Sequence, residues 1–323
     1  MKVIQISRSG GPEVLELRDV AETPPGAGQA LIRQTAIGLN FIDTYHRSGL
    51  YPLTYPAGLG MEAAGVVESV GAGVRDLAPG DRVAYCGPPP GAYAEKRTVA
   101  VERLVKLPAG VDDRTAAASM LKGLTAWYLL RRSYAAKPGD TVLSYAAAGG
   151  VGLILGQWAR SIGVKVIGVV GTAAKAELAK AHGCAEIVMA DDPEFVAKVR
   201  RLSGGEGVAA VYDSVGKTTF YQSLDCLRRH GVMVTYGNAS GPVEPFSPLE
   251  LSKRGSLHVT RPVLFDFIAT RQDLEAATAE LFTLLAGGAV RIHVGQTYAL
   301  KDVARAHQDL EARKTTGSTL LLP

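Results

Sequence analysis

TVLSYAAAGGVG, Thr141 to Gly152, is the stretch on which the fold turns. TVLSY reads as a short strand. The alanines and glycines that follow open GGVGLILGQWARSIG, a run with helical spacing. Set against the dinucleotide fingerprint GxGxxG, the turn reads Ala147-x-Gly149-x-x-Gly152, with alanine in the first glycine position. Gly149 would let the backbone approach a pyrophosphate. Gly152 would let the helix pack close to its sheet, and the free N–H groups of the helix N-terminus would face the anion. A glycine-rich turn alone carries little. Here VKVIGVV, EIVMA, VAAVYDSV and VMVTYG continue as strands. TAAKAELAKAHG, PEFVAKVRRLSGG and TFYQSLDCLRRHG lie between them as helices. Strands alternating with helices predict right-handed βαβ units and a doubly wound parallel sheet.

The end of the second strand tests the ribose. An NAD site places Asp or Glu there, about 20 residues on, to accept from the 2′-hydroxyl. This chain has Gly171 and Thr172, with Lys175 following and no acid. Two readings of Lys175 stand side by side: a point charge for a 2′-phosphate, which favours NADPH over NADH, or a solvated helix residue.

The rest of the composition excludes more than it assigns. With 323 residues, 47% hydrophobic and 20% charged, the chain can bury a large core and suits about two domains. Cys86, Cys184 and Cys226 form no CxxC pair and no disulfide framework, so a reducing compartment, the cytoplasm, is expected. The start, MKVIQISRSGG, lacks the apolar core of a signal peptide, and no apolar run is long enough for a membrane span. No Cys/His pair has zinc-ligand spacing and no GxSxG elbow occurs, so no metal is expected and no nucleophile triad. The Arg pairs at 131–132, 200–201 and 228–229 lack the aromatic interleaving of a nucleic-acid platform.

VIQI, LEL, ALIRQTAIGL, GVVESV and RVAYC, punctuated by GGP, PPGAG and GPPPG, predict a β-rich N-terminal third. Asn40 is a candidate N-cap for a helix over Phe41–Arg47, with Asp43 in its first turn. DDRTAAASMLKGLTAWYLLRRSY reads as a long helix, broken near Gly123. After Pro262 the alternation stops. Two amphipathic helices and the strand STLLLP are too few elements for a domain, so this tail is returned to the N-terminal one.

AIGLNFIDTYHRSGLYP, GLGMEAAGVV, GDRVAY, LKGLTAWYLLR, AAAGGVGL, VYDSVG, YGNASG and VTRP occur in one order along the chain. On these strings the chain resembles the NADPH:quinone oxidoreductases, the zeta-crystallin-like, zinc-free branch of the medium-chain dehydrogenase/reductase superfamily. The resemblance runs from GGPEVLEL to GSTLLLP and implies an α/β subunit. Residues 1–121 and 263–323 would form a GroES-like catalytic domain. Residues 122–262 would form a Rossmann domain binding NADPH. Where zinc-containing relatives carry Gly-His-Glu, this chain has Gly60-Met61-Glu62.

The resemblance also implies cofactor contacts. Asn40 and Thr44 would lie beside the nicotinamide, with Tyr128 as the aromatic of its motif. Gly150 and Val151 would meet the pyrophosphate. Gly171 and Lys175 would receive the 2′-phosphate, with Arg313 reaching the same end. Ser214, Gly216, Asn238 and Ser240 complete the set. Two positions depart from the bacterial relatives: Ala190 stands where they often have tyrosine, and Tyr145 where they often have histidine. The implied reaction is hydride transfer from NADPH to a quinone, with Tyr45 and Asn40 at the acceptor and Tyr51 on the pocket wall. The alternatives are reduction of an enone or alkenal C=C bond, and a non-enzymatic RNA-binding or crystallin-like role. A homodimer is implied, paired through the Rossmann-sheet edge at Ser256–Pro262.

Overall fold

The computed structural model describes residues 1–323, which divide into two compact units. The first comprises Met1–Lys122, Thr270–Ala286 and Ile292–Pro323; the second comprises Gly123–Ala269 and Gly287–Arg291. Residues 263–269 and 287–291 thus group with the second unit, where the sequence reading returns the whole tail to the first. Two contacts inside that unit hold them. Phe267 stacks on Tyr128, rings 5.0 Å apart. The Gln157 carboxamide bonds both the N–H and the carbonyl of Arg291.

The first unit is built on antiparallel strands. Gln29–Leu39 pairs with Glu62–Val70, which pairs with Arg82–Cys86. The last strand, Ser318–Leu322, lies antiparallel to Gln29–Leu39, with Leu320 opposite Gly38. That pairing is why the tail has no core of its own: Leu300, Val303, Ala306 and Leu321 join Ile4, Ile32, Ile37 and Leu39 in one buried cluster.

The second unit is a six-stranded parallel sheet with helices between successive strands. Its order is Glu186–Met189, Lys165–Val170, Thr141–Ser144, Val208–Asp213, Leu227–Thr235, His258–Thr260. Chain order therefore reverses beside Thr141–Ser144, and at such a switch point the strand ends open a crevice for ligands. Leu143, Ile167, Val188, Val211 and Met233 fill the core, as near-continuous apolar strands of a doubly covered sheet should.

Two elements differ from the sequence reading. The helix over 112–134 breaks at Ala118–Ser119 rather than near Gly123, leaving helices Asp113–Ala117 and Met120–Tyr128. The Ser119 hydroxyl turns back onto the Thr115 carbonyl at 2.7 Å, and the Glu62 carboxylate accepts the Leu121 N–H at 2.6 Å. The helix begun by TFYQSLD ends at Asp225, and LRRHG belongs to the next strand. Leu227 already pairs with Val208 there, and an irregularity with His230 at φ +59° absorbs the extra residues.

Candidate functional site

The turn after Thr141–Ser144 is shaped by close approaches. Ala146 takes a left-handed conformation at φ +50°. A Cβ on Gly152 would lie 2.7 Å from the Ala147 Cα and also meet the Ala146 carbonyl oxygen, so only glycine fits there. Alanine is tolerated in the first fingerprint position because the neighbouring strand makes room. A Cβ on Gly168 would sit 2.8 Å from that of Ala147. The helix Gly150–Ser161 starts at this turn with no side-chain cap, so the N–H groups of Gly150, Val151 and Gly152 have no helical carbonyl to meet. With the strand before and the helix dipole behind, this cradle fits a pyrophosphate.

At the end of Lys165–Val170, Gly171 and Thr172 are exposed and a Cβ on Gly171 would meet nothing within 4 Å. The Thr172 hydroxyl caps the following helix by accepting the Lys175 N–H at 3.3 Å. Lys175 stands half-buried in that first turn, and the strand ends in Gly171 and Thr172 rather than in the acid of an NAD site. The residues present therefore fit a dinucleotide, and a 2′-phosphate better than a bare ribose.

A carboxylate that the sequence reading passed over builds the next turn. Asp213 is fully buried and accepts from the N–H groups of Val215 and Gly216 and from the hydroxyls of Thr219 and Ser223, at 2.7–3.0 Å. Ser214 and Gly216 are thereby fixed, Gly216 at φ +93°. The turn interlocks with Gly237–Gly241: Ala239 N–H bonds Ser214, and Lys217 N–H bonds Gly241. The Ser240 hydroxyl is used inside this lock, donating to Val215 and accepting from Thr218 N–H. The Asn238 carboxamide oxygen accepts from Arg261 at 3.2 Å. Tyr128 is buried under the Phe267 ring, and Tyr145 is buried against Phe195.

The first unit holds the remaining candidates. The helix Phe41–Ser48 follows Asn40, whose N–H is accepted by Asp43 at 2.9 Å in a capping box. Asn40, Thr44 and Tyr45 lie on its first turns, all buried. Tyr45 packs against the rings of Phe41 and Tyr51, 5.5 and 5.3 Å away, which brings Tyr45 and Tyr51 together. The Thr44 hydroxyl donates to the Phe41 carbonyl at 2.7 Å. Arg313 also belongs to this unit, exposed after the helix Val303–Glu311 with φ +57°.

Beneath the helix runs a buried polar chain. Tyr93 donates to Asp43 at 2.8 Å and faces His307 Nε2 at 3.1 Å. Arg47 meets His307 Nδ1 at 3.0 Å and holds Glu311 with two bonds. Arginine can only donate, so Nδ1 accepts and the imidazole proton lies on Nε2, toward Tyr93. Burial pushes the Asp43 carboxyl up to about 7, against the hydrogen bonds from Asn40 and Tyr93. Burial, aided by Arg47, pushes His307 down to about 3.

Beyond the capping box, the Asn40 side chain reaches a second partner. Its Nδ2 donates to Glu62 at 2.7 Å, and Glu62 also accepts from Lys122 Nζ at 2.7 Å. All three are at most 5% exposed. Neither Glu62 nor Lys122 is marked by local spacing; the only signal is a charged residue inside each of the apolar runs GLGMEAAGVV and SMLKGL. Cys86, Cys184 and Cys226 are free and buried, and burial pushes all three thiols up. No three His, Cys, Asp or Glu side chains cluster in a way that could hold a metal ion. No helix is long and apolar enough to cross a membrane.

Both halves of this arrangement match known families. The alcohol dehydrogenase GroES-like domain matches residues 26–109, and the zinc-binding dehydrogenase domain matches residues 150–282. A quinone oxidoreductase of Pseudomonas aeruginosa is 51% identical over 323 residues, covering 100% of this chain and 99% of that one. The crystal structure of Escherichia coli quinone oxidoreductase complexed with NADPH superposes with a TM-score of 0.98 at 46% identity, covering 100% of both chains. A 2-haloacrylate reductase of a Burkholderia species is 45% identical over 325 residues, 98% of each chain.

Proposed function

The chain belongs to the quinone oxidoreductase family, and we propose that it is an NADPH-dependent, zinc-independent oxidoreductase that reduces quinones. What carries this reading is the full-length likeness, at 46% identity, to a quinone oxidoreductase complexed with NADPH. The phosphate turn supports the cofactor. NADPH, when bound, supplies the hydride. The protein's part is to bind and orient. Gly149, Gly150, Val151 and Gly152 take the pyrophosphate, while Gly171, Thr172 and Lys175, with Arg313, take the adenosine 2′-phosphate. Ser214 and Gly216 line the cofactor through their turn. Ser240 acts by locking that turn, Asn238 by its bond to Arg261, and Tyr128 as a buried wall.

Asn40 and Thr44 hold the nicotinamide end. Tyr45, backed by Tyr51, donates its hydroxyl proton in a hydrogen bond to the acceptor oxygen as charge develops there. Met61 occupies the position that zinc-containing relatives fill with histidine, so no metal takes part. On this reading residues 1–121 and 263–323 form the catalytic domain, which carries the acceptor residues and also Asn40, Thr44 and Arg313 for the cofactor, and residues 122–262 form the domain that takes most of the NADPH.

The 45% identity to a 2-haloacrylate reductase favours a second reading, reduction of an activated C=C bond on the same scaffold. Turnover of NADPH, followed by loss of its reduced-nicotinamide absorbance, separates the two. Benzoquinone, a naphthoquinone and a simple enone are offered side by side. Quinone turnover well above enone turnover is expected; the reverse order would transfer the assignment to alkene reduction.

The strand His258–Thr260 pairs on one side only, with Leu227–Thr235. An open edge of this kind is a template for a second copy, and a homodimer through Ser256–Pro262 is the proposed assembly. Three buried free thiols suit a reducing compartment, and the cytoplasm is the proposed location.

A further inference from the structure

The second unit carries a hollow of about 290 Å³ at the N-terminal end of its parallel sheet, near the lower end of the range for small-ligand sites, roughly 300–1,000 Å³. Val164 and Cys184, both buried, line it together with Arg160, Lys165 and Lys180, all exposed. No aspartate or glutamate lines it. Lys180 lies 3.5 Å from Glu177, a loose pair between exposed side chains, and Arg160 and Lys165 have no carboxylate within ion-pair distance. Two of the three cations have an ordinary reason to be basic. Arg160 and Lys180 stand in the last turns of the helices Gly150–Ser161 and Ala173–Ala181, where carbonyl ends favour a positive charge. Those carbonyls are already covered by the chain that follows. Ala159 and Arg160 accept from the N–H groups of Val164 and Gly163 at 2.9 and 3.2 Å, and Ala179 and Lys180 accept from Cys184 and Gly183, both at 3.1 Å. Lys165 opens a strand, so no helix end accounts for it.

We infer that this hollow binds a phosphate monoester, at a site separate from the pyrophosphate turn. A phosphate monoester carries a charge of about −1.5 to −2 near pH 7 and three strong acceptor oxygens. Arg160 offers it a planar fork of donors, and the two lysines offer point charges. A single carboxylate would bring only one negative charge to three cations. The strand Lys165–Val170 separates the two sites. It starts in the hollow and leads at its other end into Gly171 and Thr172, about 20 Å away at roughly 3.3 Å per residue. The ester and NADPH therefore bind at the same time and do not compete.

The test titrates the intact protein with glycerol 3-phosphate by calorimetry, with and without one equivalent of NADPH. In parallel the protein is sedimented with phosphatidylcholine vesicles containing phosphatidic acid, which present the same group on a surface. Saturable binding of the free ester is expected at low ionic strength, with a dissociation constant of about 1 mM or tighter. Arg160→Ala and Lys165→Ala should each weaken it about fivefold, as loss of a charge-assisted contact at an exposed site predicts. Arg160→Lys, which keeps the charge without the fork, should recover part of that loss. Lys301→Ala, which removes an exposed lysine of the first unit, should change nothing. NADPH should leave the constant as it is. Equal weakening in all three alanine variants would reduce the effect to net charge and overturn the inference. Displacement of the ester by NADPH would place it at the cofactor turn and overturn it too, as would the absence of saturable binding to ester and vesicles alike. Binding to the vesicles alone, with the same pattern among the variants, would uphold the site and assign it to a lipid headgroup.

Discussion

The phosphate turn at Ala146–Gly152 and the buried cluster around Asn40 are built by opposite means. The turn is backbone: its donors are peptide N–H groups, and its side chains matter mainly by being small. Every residue it needs lies within a few positions of the others. The Asn40 cluster is side chain: Asn40, Glu62 and Lys122 come from a helix cap, a strand and a second helix. The first kind of site is a property of a short sequence. The second exists only after the sheet of the first unit has closed.

The sharpest way to break the comparison is at Gly152. Gly152→Val places atoms where the Ala146 carbonyl and Ala147 Cα already are. Overpacking of that kind costs about 3 kcal/mol, or roughly a hundredfold in NADPH affinity where the turn yields instead. Denaturant unfolding together with NADPH titration reads both. A variant unaltered in each would mean that the turn is not a close approach.

The buried polar chain of the first unit responds to pH where the turn does not. In the fold Asp43 holds its proton up to about 7, above its ordinary 3.8. Its contribution to stability is therefore complete below about 3.8 and is lost as pH rises through about 7. His307 is the converse. It is held neutral down to about 3, so its contribution is complete above 6.5 and is lost as pH falls through about 3. Between these limits the two slopes oppose each other. Asp43→Asn removes one of them. From pH 6.5 down toward pH 4, the variant should lose about 1.4 kcal/mol more per pH unit than the parent protein. Chemical unfolding across that range is the measurement. Parallel profiles would show that Asp43 does not hold a proton in the fold.

Two smaller effects sharpen the assignment of roles. Lys175→Ala should weaken NADPH roughly tenfold and leave NADH nearly unmoved, as loss of a charge-assisted bond to a 2′-phosphate predicts. Equal losses in titrations of both cofactors would assign Lys175 to the fold rather than to the phosphate. Tyr45→Phe should lower kcat on benzoquinone by about twofold to tenfold, the worth of one hydrogen bond, with NADPH affinity unchanged. Steady-state rates equal to those of the parent protein would remove Tyr45 from the reaction.

These contrasts explain what could be read from the sequence. The alternation after Thr141 is visible because strands and helices keep their own periods, and the helices Gly150–Ser161, Ala173–Ala181 and Phe195–Leu202 are each soon followed by a glycine. Thr270–Ala286 and Ile292–Pro323 group with the first unit, whose core takes in Leu300, Val303, Ala306 and Leu321, while residues 263–269 and 287–291 follow their contacts into the second. The structure departs from the local pattern where tertiary partners outvote it. Ser119 and Glu62 break a helix at a point where no glycine marks it, and Val208 draws Leu227 into a strand despite a helical spacing. The site divides in the same way. Gly149 and Gly152 announce themselves. Asp213, which shapes the Ser214–Gly216 turn, and Glu62 and Lys122, which grip Asn40, are single charged residues in apolar runs. Their meaning depends on partners as many as 60 residues away.

The account stands or falls on cofactor choice, because the phosphate end is where sequence, geometry and proposed function meet. The measurement is kcat/KM for NADPH and for NADH with benzoquinone held saturating. The account predicts a preference for NADPH of roughly tenfold or more, as one charge-assisted contact requires. Equal efficiency with both cofactors, or a preference for NADH, would contradict it.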